Sequence, residues 1–218
     1  MNASSPRTLG AILYDQFELL DVYGPLEMFG SLGPGALRIE TVAETPGPVA
    51  SAQGPETLAR RGLGDCPKLD LILLPGGIGT LAQLANPALL AFLRARAPEA
   101  ELTLSVCSGS ALLARAGLLD GRRATSNKLF FSFATAQSQA VQWVEQARWV
   151  EDGAFFTSSG VSAGIDMALA AIAKLWGRER AERVAELTEY EWQRDPARDP
   201  FAKFLNQGAA RLAELVSG

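Results

Sequence analysis

The sequence predicts an α/β fold in which a mostly parallel sheet carries helices on both faces. Three observations lead there. Short, nearly continuous apolar runs recur at residues 9–14, 69–74, 102–106 and 154–159, the pattern of strands buried on both faces. Segments whose apolar residues keep helical spacing separate them. Glycine, proline or a capping residue marks each switch between the two.

In chain order, residues 9–14 form the first strand, closed by Asp15. The stretch after Phe17 places Leu26, Phe29 and Leu32 at helical spacing, and Pro25 stands where prolines favour a helix start. Gly33-Pro34-Gly35 ends that helix. Residues 37–43 alternate as a strand, and Thr45-Pro46-Gly47-Pro48 is a turn. Residues 51–67, rich in Gly, Pro and polar side chains, read as short strand pieces and loop. Residues 69–74 form a buried strand that runs into the Gly76-Gly77 pair. Asn86 is an N-cap with Pro87 in the first helical position, and Leu89, Leu90, Phe92 and Leu93 share one side of that helix. Residues 102–106 are a strand, Cys107 follows at once, and Ser108-Gly109-Ser110 opens a helix that closes near Gly117. Residues 129–133 read as a short helix, residues 143–150 as strand, and residues 154–159 as strand after the Asp152-Gly153 turn. Ser162 is an N-cap candidate for a helix over 163–176, which Gly177 stops. Residues 178–190 form a further amphipathic helix. Residues 195–200, with Pro196 and Pro200, break the chain before a last helix over 201–216. No repeat or linker divides the sequence, so residues 1–218 read as a single domain.

Composition narrows the function. The chain has 20 Lys and Arg against 24 Asp and Glu, a net charge of −4, and no histidine. Its arginines are interleaved with carboxylates, which argues against nucleic acid as a partner. No apolar run approaches the roughly 20 residues that span a bilayer, so no membrane partner is expected. Residues 1–7 lack the layout of a signal peptide. Cys66 and Cys107 therefore read as free thiols in a reducing, cytoplasmic setting. Without histidine the chain forms no Ser-His-Asp or Cys-His triad, and no HExxH or other imidazole metal site. Carboxylates, a thiol or backbone amides must move protons.

The sharpest local feature is Leu104-Ser105-Val106-Cys107-Ser108-Gly109-Ser110. A buried strand ends on a cysteine and small residues open a helix, the layout of a nucleophile elbow with Cys in place of Ser. The helix N-terminus would lower the thiol pKa and leave Cys107 partly thiolate near neutral pH. A buried structural cysteine is the alternative. Gly76 and Gly77 also stand at a strand's carboxyl end, where open parallel sheets bind ligands. They either aim a backbone N–H at a developing charge or simply make a tight turn. Asp21 is either a helix N-cap or a functional carboxylate, with Glu18 as its rival. Asp166 would complement the dipole of the helix it opens. Cys66 has no elbow around it, and Phe130, Phe131 and Phe133 read as core or pocket wall.

Taken together, these strings resemble the ThiJ/PfpI superfamily. The resemblance rests on Gly10-Ala11-Ile12-Leu13-Tyr14 with Leu20-Asp21-Val22-Tyr23-Gly24-Pro25, on Leu74-Pro75-Gly76-Gly77, on Ser105-Val106-Cys107-Ser108-Gly109, on residues 116–125 and on Gly160-Val161-Ser162-Ala163-Gly164-Ile165-Asp166. The subgroup it most resembles holds isocyanide hydratase and the amidase-like domain of AraC-type regulators. That resemblance implies a flavodoxin-like three-layer sandwich, a homodimer, and no metal or organic cofactor. It implies Cys107 as nucleophile, Asp21 as its acid/base partner, the Gly77 and Ser108 amides as oxyanion donors beside Gly76, and Val161 on the pocket lining. Asn127-Lys128 stand where the subgroup commonly has His-Trp, which puts Asn127 at the substrate. Ser108 follows the cysteine where other branches place His. The implied reaction is a hydro-lyase step on a small-molecule substrate. Water adds to R–N≡C and gives an N-substituted formamide, through a Cys107 thioimidate. Two carboxyl and thiol charges side by side repel, so Asp21 should be protonated when Cys107 is thiolate, and the pair should titrate together. The alternative is a non-catalytic or redox-responsive protein that uses Cys107 as a sensor thiol.

Overall fold

The computed structural model describes residues 5–210. Its strands are β1 (Arg7–Ile12), β2 (Leu37–Ala43), β3 (Gly47–Ala50), β4 (Glu56–Ala59), β5 (Arg61–Gly62), β6 (Leu71–Leu74), β7 (Leu102–Ser105), β8 (Arg123–Ala124), β9 (Gln142–Trp143), β10 (Trp149–Asp152) and β11 (Phe155–Ser158). Its helices are α1 (Leu19–Gly30), α2 (Thr80–Gln83), α3 (Pro87–Arg96), α4 (Gly109–Arg115), α5 (Phe131–Thr135), α6 (Ala163–Trp176) and α7 (Arg178–Leu187). Seven strands make the central sheet, in the order β10-β11-β7-β6-β1-β2-β5. All neighbouring strands in it run parallel except β10, which pairs antiparallel with β11 at one edge. β3–β4 and β8–β9 stand outside it as two-stranded ribbons.

The apolar runs are the middle of this sheet. Every residue of β6 and β7 is buried, as are Leu9, Ala11, Ile12, Phe155 and Phe156. Helices α1, α6 and α7 pack together as one group, and α2, α4 and α5 with α3 as another, so the sheet is the centre of a three-layer α/β domain.

The register is in-line across the sheet. Leu9 and Leu71 are opposite each other, then Leu71 and Leu102, then Thr103 and Phe155. This brings the carboxyl ends of β1, β6, β7 and β11 to one edge, and with them Asp15, Pro75, Val106 and Ser159. Chain segments leaving those four strands, with the segment after β8, build the site.

Four expectations change. Pro25 does not start a helix; α1 begins at Leu19 and Pro25 lies inside it. The Gly-Pro pair instead serves helix contact. A Cβ on Gly24 would fall 2.8 Å from Ile165 Cγ1, and one on Gly164 would fall 2.8 Å from Val106 and 3.3 Å from Pro25. Small residues at the crossing let α1, α6 and the cysteine-bearing strand end approach. The strand expected over 143–150 is two strands, β9 and β10, split by residues 144–148. Ser162 precedes α6 but caps nothing with its side chain. Residues 201–216 do not form one helix. A 3-10 turn at Ala202–Phe204 is followed by a non-helical stretch, helix resumes at 208–210, and residues 211–216 lie outside the described residues. Backbone groups there bond to another loop: Asn206 N–H donates to Lys128 O at 2.8 Å and Gly208 N–H to Leu129 O at 3.0 Å. By contrast Asn86 caps α3 as expected, Oδ1 accepting from Ala88 and Leu89 N–H at 3.0 and 3.3 Å.

Candidate active site

Cys107 sits between β7 and α4 with φ +57, a left-handed conformation that costs a non-glycine residue about 1–3 kcal/mol. Leu74 O accepts from Val106 N–H at 3.0 Å and Ser159 O from Cys107 N–H at 3.2 Å. These two bonds pin the elbow to the ends of β6 and β11. Gly76 and Gly109 make the approach possible. A Cβ on Gly76 would lie 2.6 Å from Ser108 N, and one on Gly109 would lie 2.5 Å from Leu74 O. Val161 is a second left-handed residue, φ +37, an outlier for a β-branched side chain.

Three donors face the sulfur. Asn127 Nδ2 donates to Cys107 Sγ at 3.0 Å, and the backbone N–H groups of Ser108 and Val161 lie where they favour the charged sulfur. Asn127 is oriented by its other end, where Oδ1 accepts from Phe130 N–H at 3.1 Å. That leaves only the amide nitrogen for the sulfur. Gly160 clears the space, since a Cβ there would fall 2.9 Å from Asn127 Nδ2.

Asp21 is fully buried in the first turn of α1. It is not an N-cap. Oδ2 accepts from Gly76 N–H at 2.8 Å, while Oδ1 has no hydrogen-bond partner among the described residues. A carboxyl with one orphan oxygen is suited to carry its proton there. Burial pushes Asp21 well above the usual carboxylate range, against the Gly76 bond and with a small push from the charge on Glu18. Glu18 itself is half-buried and accepts from Gln53 Nε2 at 2.8 Å, outside the cluster.

The thiol departs from its expected state. Cys107 is 7% exposed. Burial pushes its thiol up to about 12, and a charge on Asp21 pushes the same way; the Asn127, Ser108 and Val161 donors pull it down. Desolvation works against the short helix behind the sulfur and favours the thiol over the thiolate. Both members of the pair favour their uncharged forms, and with Asp21 uncharged its push on the sulfur falls away.

The remaining candidates are placed as follows. Gly77 N–H donates to Ser108 Oγ at 3.2 Å, and Ser108 Oγ and Thr80 Oγ1 share a bond of 2.9 Å. Asp166 belongs to a buried structural network, bonded by Arg148 Nε at 2.6 Å, Tyr190 OH at 3.2 Å and Gln193 N–H at 2.9 Å. Cys66 is half-buried beside Arg96, away from the elbow. Phe131 is core while Phe130 is exposed. Sequence reasoning missed Ser126, whose hydroxyl donates to Cys107 O at 3.0 Å, and the buried Lys128–Asp199 pair behind it. A lysine in the string Thr125-Ser126-Asn127-Lys128 was the available signal.

A cavity of about 360 Å³ is lined among others by Tyr14, Asp15, Glu44, Gln83 and Asn86; Cys107 does not line it. Among the described residues no group of three or more His, Cys, Asp or Glu side chains could hold a metal ion, and no helix is long and apolar enough to cross a membrane.

The chain matches the model of the DJ-1/PfpI family over residues 9–174. It is 34% identical over 182 residues to the isonitrile hydratase of Pseudomonas putida, which covers 84% of this chain and 78% of that protein. It is 29% identical over 222 residues to the HTH-type transcriptional regulator GbdR of Pseudomonas aeruginosa, spanning 98% of this chain but only 59% of the regulator's length. Among solved structures, a ThiJ/PfpI family protein from Pseudomonas syringae superposes with a TM-score of 0.80 at 33% identity, covering 99% of this chain and 88% of that one.

Proposed function

The chain belongs to the DJ-1/PfpI family, and we propose that within it this protein is an isonitrile (isocyanide) hydratase-like enzyme. The observation that carries the reading is the buried Asp21 carboxyl, held by Gly76 N–H beside the Cys107 elbow with Oδ1 unpartnered among the described residues. The similarity to a protein named isonitrile hydratase supports the substrate class.

The chemistry starts from an uncharged pair. Cys107 sulfur attacks the terminal carbon of R–N≡C. Asp21 gives its Oδ1 proton to that carbon and takes up the thiol proton, leaving Cys–S–CH=N–R, a thioimidate, with Asp21 protonated again. Water then adds to the thioimidate carbon, one of its protons passing through Asp21 to nitrogen and the other, as the adduct collapses, to sulfur. The carbon–sulfur bond breaks, the thiol is restored and HC(=O)–NH–R leaves. Sulfur carries negative charge as its proton leaves ahead of attack and again as the carbon–sulfur bond breaks. The Asn127, Ser108 and Val161 donors are positioned to stabilise that charge. The Gly77 amide, one exchange of partner away from Ser108 Oγ, is the further candidate for the substrate. The residues supply nucleophile and protons, so the reaction calls for a small-molecule substrate and no cofactor.

The test is formamide formation from p-nitrophenyl isocyanide by the parent, Cys107→Ala and Asp21→Ala proteins in parallel. The expected result is turnover by the parent, none above background in Cys107→Ala, and a loss of about 100-fold or more in Asp21→Ala. Full activity in Cys107→Ala would refute the reading. A sensor role is the second reading, favoured by the similarity to a transcriptional regulator. It is the one supported if the parent gives no formamide while peroxide oxidises Cys107 cleanly.

A further inference from the structure

Lys128 and Asp199 are both buried, 2% and 0% exposed, and face each other with Nζ and Oδ2 3.7 Å apart. Burying two charges is costly, so a buried pair is weak evidence of a stabilising role. Lys128 Nζ also donates to Thr125 Oγ1 at 2.6 Å and to Ser126 O at 3.4 Å, and lies 5.2 Å from the Phe131 ring centre. Glu145 is the other charged group bearing on it. Burial pulls the ammonium down to about 8, with Asp199 pushing back.

The neighbours of Lys128 give this pair a target. Three successive side chains reach three places: Ser126 to Cys107 O, Asn127 to Cys107 Sγ, and Lys128 to Asp199. Asp199 is itself fixed, Oδ1 accepting from Phe201 N–H at 3.0 Å and its carbonyl from Gln146 Nε2 at 3.2 Å. The segment carrying it is anchored at both ends. Pro196 O accepts from Arg148 N–H at 2.7 Å, and Asn206 Oδ1 accepts from Ser132 N–H at 2.7 Å.

We propose that Lys128 and Asp199 are a positioning pair for Cys107: the ion pair latches the loop that presents Asn127 to the sulfur onto the segment 196–208. Neither residue touches the sulfur. Their effect passes through the Asn127 amide. The inference rests on Cys107 being the reacting group and not on the isocyanide substrate.

The test is the pH profile of Cys107 alkylation by iodoacetamide, read on the Cys107 peptide so that Cys66 does not contribute. Lys128→Met/Asp199→Leu replaces the pair by apolar side chains and should melt close to the parent. Its alkylation midpoint should move to higher pH and its rate at a fixed pH below the midpoint should fall about tenfold, as when a thiolate loses one hydrogen bond. Asn127→Ala should do the same, and adding the pair replacement to it should cost nothing more. Asp199→Asn keeps the shape, removes one charge and should shift the midpoint in the same direction, which covers the case of a double variant that does not fold. A midpoint unchanged or lowered in either folded variant overturns the proposal, as does an additive loss in the triple variant. Because the readout is alkylation, it stands or falls separately from formamide turnover.

Discussion

A carboxyl buried beside a thiol can lose its proton only by placing a charge in a poorly solvated site, and the neighbour then pays a second penalty if it ionises too. Asp21 and Cys107 are in that position. Asp21→Asn keeps the shape and removes the titration. The folded pKa of Asp21 is raised above its ordinary value of 3.8. Its contribution to stability is therefore complete below that value and is lost as pH rises through the folded pKa. The melting temperature of Asp21→Asn minus that of the parent should rise from near zero around pH 4 to positive values at higher pH. A difference that stays flat contradicts the shift. The variant should also alkylate at Cys107 with a lower midpoint, since no carboxylate remains to oppose the thiolate; identical profiles would end the idea of a coupled pair. Cys107 stands out in the sequence because a buried strand ends on it and small residues follow, whereas Asp21, Asn127 and Val161 are singled out only by the family resemblance of the strings that hold them. The state of the thiol was not legible there. The helix start that lowers a thiol pKa is local and visible, whereas the burial that raises it comes from residues far along the chain.

The elements meet at the elbow through glycines. Gly76→Ala would drive a Cβ to 2.5 Å from Ser108 Oγ and 2.6 Å from its backbone nitrogen. Backbone cannot swing aside, so the variant should lose about 1–3 kcal/mol in urea melts together with most Cys107 alkylation. Gly35→Ala, with open space around its Cβ and an unstrained φ, is the control and should change neither. Equal effects from the two substitutions would mean that close packing at the elbow is not what holds it. The buried strands, the α3 cap and the stop at Gly177 were legible because each is written in adjacent residues. Pro25 misled because the same Gly24-Pro25 pair that reads as a helix start serves instead as a thin face between α1 and α6. The helix expected from residue 201 is interrupted because Asn206 and Gly208 N–H bond to the Lys128 and Leu129 carbonyls, partners that helical periodicity does not contain.

Across the whole molecule, the parallel sheet does one thing for function. It ends β1, β6, β7 and β11 at one edge, so that a carboxyl from α1, two glycines, a strained cysteine and a strained valine converge. That convergence follows from alternating strands and helices and was readable as a fold class. The latch across Lys128 and Asp199 depends on two segments that only the finished fold brings together. The central claim is that Cys107 bonds covalently to the isocyanide carbon, and it is tested most directly by mixing an aromatic isocyanide with excess protein, quenching in acid and weighing the peptides. The Cys107 peptide should gain the mass of one isocyanide, and Cys107→Ala should show no adduct and no formamide. Formamide produced without any adduct on Cys107, or undiminished in Cys107→Ala, would contradict it.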